Sequence, residues 1–99
     1  YYNEIIFMIE TLRNKLAKKD FDTALLYLQL EREPAALVYF ETIVNDYYDT
    51  EYIDESLLNV ALIKKKIDQS LAESYLINNK DYFTSDEKFE LAFNTIKNN

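Results

Sequence analysis

A chain of 99 residues has the length of one small domain. Hydrophobic residues make up 48% of it, enough for a core, and charged residues make up 29%, which suits a solvated surface. The absence of glycine and the single proline argue against a β-sandwich or barrel, since those folds need glycine at many tight turns. A net charge of −7 disfavours nucleic acid and anionic membrane as partners, and the lack of cysteine and histidine removes thiolate metal sites, disulfides and Ser/His or Cys/His catalysis.

The first predicted helix covers residues 1–32. No Gly or Pro occurs from Tyr2 to Arg32, and apolar residues recur there at steps of 4, 3 and 4. Two neighbouring stripes show this spacing: Ile5, Ile9, Leu12 and Leu16, and then Ala17, Phe21, Ala24 and Leu28. We expect one long amphipathic helix rather than two helices broken near Lys19–Asp20.

The second and third predicted helices cover residues 34–47 and 50–66. Pro34 ends the first helix and suits the first turn of the second. Thr50 is the expected N-cap of the third helix, and the acidic residues after it are expected to complement the positive end of that helix. The lysine run 64–66 near its end is expected to complement the negative end.

The last two predicted helices cover residues 68–79 and 85–98. In the fourth, four residues are expected to face inward: Leu71, Ala72, Tyr75 and Leu76. Thr84 with Glu87 reads as a capping box that opens the fifth helix. The apolar face of the fifth helix is expected to comprise Phe89, Ala92, Phe93 and Ile96.

Short links between these helices predict antiparallel helical hairpins. The spacing from Leu28 to Leu62 is that of the 34-residue tetratricopeptide period. Small residues are expected where the helices cross closely: Ala24, Ala36, Ala61 and Ala72. The predicted fold is therefore all-α, a tetratricopeptide-type α-α superhelix of antiparallel helical hairpins. Residues 1–99 are expected to form a single domain, a C-terminal fragment of a longer protein.

The segment 12–57 resembles the C-terminal half of the BamD family, the outer-membrane lipoproteins of the bacterial β-barrel assembly machinery. Three blocks with matching spacing carry the resemblance: LRNKLA at 12–17, ALLYL at 24–28 and DYYDT at 46–50. The last is similar to the family's Asp-Tyr-Pro-Asp-Thr/Ser turn. The resemblance weakens towards residue 79, and residues 80–99 are not convincingly covered.

Three departures from the family pattern are visible. Where the family has a Lys-Arg-Gly turn, this chain has EREP at 31–34. Where the family's later turn has a proline, this chain has Tyr48. Many members carry Asn-Arg where this chain has Val38-Tyr39. If that arginine contacts a partner, the same contact is in doubt in this protein.

The resemblance implies a non-catalytic scaffold on the periplasmic face of the outer membrane. By resemblance, the partners are the POTRA region of the BamA-like barrel subunit, other assembly lipoproteins and client barrel proteins. Membrane attachment would be through an N-terminal lipid, whose cysteine this chain lacks. No cofactor is implied.

The acidic turn 45–55 is the candidate site, because it combines five acids with tyrosines and a threonine. It lacks the glycine and the spacing of a calcium loop, and no paired carboxylates indicate an acid–base pocket. Tyr27 and Tyr75 lie on core stripes, so packing is expected of them. The expected partner-binding residues are Tyr39, Tyr48, Asp49 and Tyr52. An exposed tyrosine can also cap a neighbouring repeat, which is the alternative for these tyrosines.

Three functions remain open from the sequence. The first is the BamD-like assembly scaffold. The second is another tetratricopeptide adaptor that holds peptide segments in its concave groove. The third is a helical regulatory domain of a larger catalytic protein.

Overall fold

The structure, a computed structural model, describes residues 1–98. Five α-helices are present there: α1 Tyr2–Gln29, α2 Glu33–Asp46, α3 Ile53–Lys65, α4 Gln69–Asn78 and α5 Asp86–Asn98. A short 3-10 helix covers Lys80–Tyr82. No strand occurs within this range, which confirms the predicted all-α class. Asn99, the last residue of the predicted domain, lies outside the described residues.

The turn from α1 to α2 closes without glycine. Arg32 N–H donates to Tyr27 O at 2.8 Å and Glu31 N–H donates to Leu28 O at 3.0 Å, which is the bonding pattern of a Schellman motif. Glu31 takes the left-handed position of that motif, with φ of 58°. This conformation is unfavourable for a residue with a Cβ, so Glu31 stands where glycine is usual.

Polar contacts between helix ends define the topology. Lys66 Nζ, just after α3, pairs with Glu33 Oε2 at the start of α2 at 2.7 Å, so α2 and α3 are antiparallel. Gln69 Nε2, at the start of α4, donates to Ile96 O near the end of α5 at 3.0 Å, so α4 and α5 are antiparallel as well. The chain therefore runs up and down, with each helix packed on the next and α5 also packed on α3.

The core consists of two clusters that share α3. The first cluster joins α1, α2 and α3: Phe21, Ala24, Ala36, Phe40, Ile43, Val60 and Ile63. The second joins the end of α2 with α3, α4 and α5: Val44, Ile53, Leu57, Ala61, Ala72, Leu76, Phe83, Ala92 and Ile96. Because α3 contributes buried residues to both, it is the central helix of the protein.

Alanines contribute fully buried residues to both core clusters. All four alanines predicted at crossings are fully buried: Ala24, Ala36, Ala61 and Ala72. Ala24 and Ala36 belong to the cluster between α1 and α2, and Ala61 and Ala72 to the cluster between α3 and α4. A methyl side chain lets two helix backbones come close, so larger residues do not fit at these positions.

The first apolar stripe of α1 is not part of the core. Every residue from Tyr1 to Glu10 is exposed, and the stripe Ile5, Ile9, Leu12 and Leu16 is exposed throughout. α2 ends at Asp46, level with Arg13 of α1, and is therefore too short to cover Ile5, Ile9 and Leu12. Leu71 of α4 was also predicted to face inward and is exposed instead. None of the helices over residues 1–98 combines the length and apolar character that a membrane span requires.

Two predicted helix caps are wrong. Thr50 is buried, and its hydroxyl donates to Tyr47 O at 2.7 Å, while α3 begins three residues later at Ile53. Thr84 does not cap α5; Ser85 does, since its Oγ accepts from Lys88 N–H at 3.2 Å. Both threonines instead hold the loops between helices.

We expect Ala36→Leu to lower the free energy of unfolding by about 1–3 kcal/mol, because Ala36 is 0% exposed against the first cluster and the added atoms overpack it. Ala35→Leu is the matched control, since Ala35 is the adjacent residue of α2 and is only partly buried. Urea unfolding monitored by circular dichroism measures both. Equal losses in the two variants would contradict the close crossing at Ala36.

Candidate functional site

The loop before α3 and the loop before α5 meet at one end of the bundle. Asp54, in the first turn of α3, accepts two hydrogen bonds from Thr84, from its backbone N–H at 2.9 Å and from its Oγ1 at 2.5 Å. These bonds tie the first turn of α3, directly after residues 47–52, to residues 79–85, although the two segments are far apart in the sequence. The two loops therefore form one continuous surface.

Arg13 of α1 holds the first of these loops in place. Its Nη2 donates to Asp49 Oδ1 at 2.6 Å and to Asp46 O at 2.6 Å, and its Nε donates to Asp49 Oδ2 at 3.2 Å. The guanidinium carbon also lies 5.3 Å from the centre of the Tyr47 ring. Such bidentate contact with a carboxylate is specific to arginine.

The ion pair changes the titration of both partners. The hydrogen bond from Arg13 holds the pKa of the Asp49 carboxyl below its ordinary value. The same bond raises the pKa of Arg13. The pair is therefore fully charged at neutral pH.

Of the four residues predicted to bind a partner, Tyr48 and Asp49 reach the solvent. Tyr48 is 51% exposed, and its ring lies edge-on to the ring of Tyr82 with centroids 5.7 Å apart. Tyr82 belongs to the 3-10 helix and is 46% exposed. Both loops thus present an exposed tyrosine at the same place.

Tyr52 and Tyr39 are only partly exposed. The Tyr52 ring lies 5.3 Å from that of Phe21, and desolvation together with the charge of the adjacent Glu51 raises the pKa of the Tyr52 hydroxyl. The Tyr39 ring stacks on that of Tyr27 with centroids 5.7 Å apart. The structure therefore places Tyr48, Asp49 and Tyr52 in one loop, while Tyr39 lies apart from them on α2.

We define the turn-end surface as the exposed residues that these two loops present together: Tyr48, Asp49, Glu51, Asp81 and Tyr82. Sequence reasoning missed Arg13, Asp81 and Tyr82. Arg13 lies within the LRNKLA block on which the family resemblance rests, and that block could have indicated that Arg13 has a role. Nothing in the sequence indicated that residues 80–82 adjoin Tyr48, because that proximity arises only from the packing of α5 on α3.

The acids of the predicted site have structural roles. Asp49 pairs with Arg13, and Asp54 binds Thr84. In the described part of the chain, no three His, Cys, Asp or Glu side chains are grouped closely enough to hold a metal ion. These two carboxylates stabilise the loops, and the exposed Glu51 and Asp81 supply the further acidic groups of the turn-end surface.

Tyr75 illustrates the packing role that was expected of the core tyrosines. It is partly buried and contacts both core clusters. Burial raises the pKa of its hydroxyl, with a further contribution from the charge of Glu41. Lys64 Nζ lies 5.4 Å from the centre of its ring. Tyr75 is thus part of the core rather than of the turn-end surface.

Comparison with known proteins gives one family. Residues 1–87 match the model of the YfiO family, which is described as outer membrane lipoprotein. No curated protein and no solved structure gives a significant match to the chain. The match is longer than the resemblance visible in the sequence, which weakened towards residue 79, and it includes Tyr82 of the turn-end surface.

We expect the Arg13–Asp49 pair to stabilise the protein in a pH-dependent way. The folded-state pKa of Asp49 lies below the ordinary 3.8, so the stabilisation is complete above pH 3.8 and is lost as the pH falls through the folded-state value. The free energy of unfolding of the wild type should therefore exceed that of Asp49→Asn at neutral pH, and the difference should shrink in acid.

The control for this prediction is Asp22→Asn. Asp22 Oδ2 pairs with Lys18 Nζ at 2.7 Å, but both residues belong to α1, so the pair joins no separate elements. Urea unfolding at several pH values measures both variants. A difference between wild type and Asp49→Asn that stays the same at every pH, or an equal effect of Asp22→Asn, would contradict the assignment.

Proposed function

The chain belongs to the YfiO family of outer membrane lipoproteins, and we propose that it is a non-catalytic scaffold of the machinery that assembles β-barrel proteins in the bacterial outer membrane. The proposal rests on that membership, which agrees with the BamD resemblance of residues 12–57. In this proposal the protein acts at the periplasmic face and contacts the POTRA region of the barrel subunit.

The main structural support for a binding function comes from the turn-end surface. It presents two exposed tyrosines side by side, on loops that Arg13 and the Asp54–Thr84 hydrogen bonds hold in place. Tyrosine is enriched at protein interfaces because its ring gives a large contact area at low entropic cost. A fixed loop loses little further entropy when a partner binds it.

The partner-contacting residues in this proposal are those expected from the sequence, together with Tyr82. Tyr48 and Asp49 would contact the partner directly, since both are exposed. Tyr52 and Tyr39 would contribute the parts of their rings that remain accessible. Other assembly lipoproteins and client barrel proteins are further proposed partners.

We further propose that the hairpins are tetratricopeptide repeats. The α1–α2 and α3–α4 hairpins each contain a pair of fully buried alanines. Leu28 and Leu62, one 34-residue period apart, are both partly buried against these hairpins. Repeats of this kind stack side by side and bury each hairpin on the next.

The second candidate function is an adaptor that binds peptide segments outside the assembly machinery. The exposed apolar residues of α1 favour it, because Ile5, Met8, Ile9 and Leu12 line a shallow groove with almost no polar surface. Large exposed apolar patches often mark protein interaction sites. This candidate predicts binding along α1 rather than at the turn-end surface.

We expect a pull-down to show that the intact protein binds one domain of the barrel subunit, the POTRA domain that lies nearest the barrel. Calorimetry then measures the dissociation constant of that complex. Tyr48→Ala should weaken binding roughly ten-fold or more, as expected for an exposed aromatic anchor. Leu30→Ala is the control, since Leu30 is 56% exposed after α1, at the opposite end of the bundle. Absence of POTRA binding by the wild type would leave the adaptor as the remaining function.

A further inference from the structure

The loop before α3 already binds one arginine, and the contacts show what kind of group it accepts. Arg13 is held by the carboxylate of Asp49 and lies over the ring of Tyr47, 5.3 Å from its centre. A guanidinium is suited to this arrangement because it is planar, donates two parallel hydrogen bonds and stacks on aromatic rings. The loop thus combines a carboxylate and a tyrosine ring as a receptor for arginine.

Apart from Asp49, which Arg13 occupies, the turn-end surface offers the same two kinds of group, tyrosine rings and carboxylates. Four rings carry a cationic side chain within residues 1–98: Tyr47, Tyr75, Phe89 and Phe93. Tyr48 and Tyr82 are not among them, although Lys80 is close to Tyr82 in the sequence. Lys80 Nζ lies over Phe89 instead, 5.1 Å from the ring centre. The exposed faces of Tyr48 and Tyr82 therefore remain accessible.

The charge around these rings is negative. Residues 45–55 contain no basic residue, and residues 79–87 contain only Lys80 against Asp81, Asp86 and Glu87. In the described structure the ion pairs with lysine or arginine use other carboxylates: Asp22, Glu33 and Asp49. Glu51 and Asp81 are exposed on the same two loops as these tyrosines. An acidic rim of this kind attracts a basic partner and repels an acidic one.

From these observations we propose that the turn-end surface binds an arginine-bearing segment of a partner protein, with a guanidinium stacked on Tyr48 or Tyr82 and hydrogen-bonded to Glu51 or Asp81. This inference deepens the proposed function and rests on it for the identity of the partner, since it specifies the chemistry of the segment that the scaffold contacts. Arginine is favoured over lysine because only arginine makes planar stacking and paired hydrogen bonds at once.

The test is titration of the intact protein with a short capped peptide, Gly-Ser-Arg-Gly-Arg-Ser-Gly, and with the same peptide carrying citrulline in place of arginine. Citrulline has nearly the same shape and no charge. We expect the arginine peptide to shift the ring resonances of Tyr48 and Tyr82 in NMR spectra and to bind at least ten-fold more tightly than the citrulline peptide. Binding should weaken as salt is raised, because exposed charges are screened.

Two double variants connect this binding to the rings. Tyr48→Ala with Tyr82→Ala should reduce binding of the arginine peptide at least ten-fold, whereas Tyr48→Phe with Tyr82→Phe should retain most of it, because phenylalanine keeps an aromatic face. Circular dichroism and the midpoint of thermal unfolding establish that both variants remain folded. Unchanged binding by the folded alanine variant would overturn the proposal.

Three other results would also overturn it. The first is equal binding of the arginine and citrulline peptides, and the second is a set of resonance shifts confined to α1. The third is a dimer in sedimentation velocity that the alanine variant abolishes, because the occupant of the surface would then be a second copy of this chain. Failure of the proposed function is distinguishable. Arginine-dependent peptide binding without POTRA binding would support the arginine site and contradict the POTRA region as the partner. POTRA binding without peptide binding would support the proposed function and contradict the arginine site.

Discussion

The packing of α3 between two sets of helices is the constraint on which the rest of the protein depends. Its buried residues pack with α1 and α2 in one core cluster and with α4 and α5 in the other, so α3 joins the two clusters. Fully buried alanines let the helices of each hairpin approach closely. Since α5 packs on α3 as well as on α4, the loops that precede α3 and α5 are brought together at one end.

That arrangement connects the fold to the proposed function. Loops usually lose conformational freedom when a partner binds them, and this loss opposes binding. Here the cost is reduced beforehand, because Arg13 fixes the loop before α3 and Asp54 fixes the loop before α5. Two tyrosines and their acidic neighbours are consequently presented on a fixed base, as an interface for a basic partner requires.

Sequence patterns predicted the helices because helix formation depends on local spacing, and the four alanines expected at crossings are buried. The patterns failed where a contact depends on how far a neighbouring helix extends. The stripe of Ile5 and Leu12 has the periodicity of a core face, yet α2 is too short to cover it. Thr50 and Thr84 have the residue type of an N-cap, but their hydroxyls bond to Tyr47 and Asp54 instead. The contact between Tyr48 and Tyr82 could not be predicted from local sequence patterns either, because it joins two segments that are distant in the sequence.

The most direct measurement is site-specific photo-crosslinking in cells, with a photoreactive phenylalanine at Tyr48 and, as the control, at Leu30. Both positions are exposed, and they lie at opposite ends of the bundle. We expect the Tyr48 position to form an adduct with the barrel subunit at an arginine-containing segment of its POTRA region, and the Leu30 position to form none. An adduct from Leu30 alone, or none from Tyr48 in cells where the protein is in the outer membrane, would contradict the turn-end surface as the partner site.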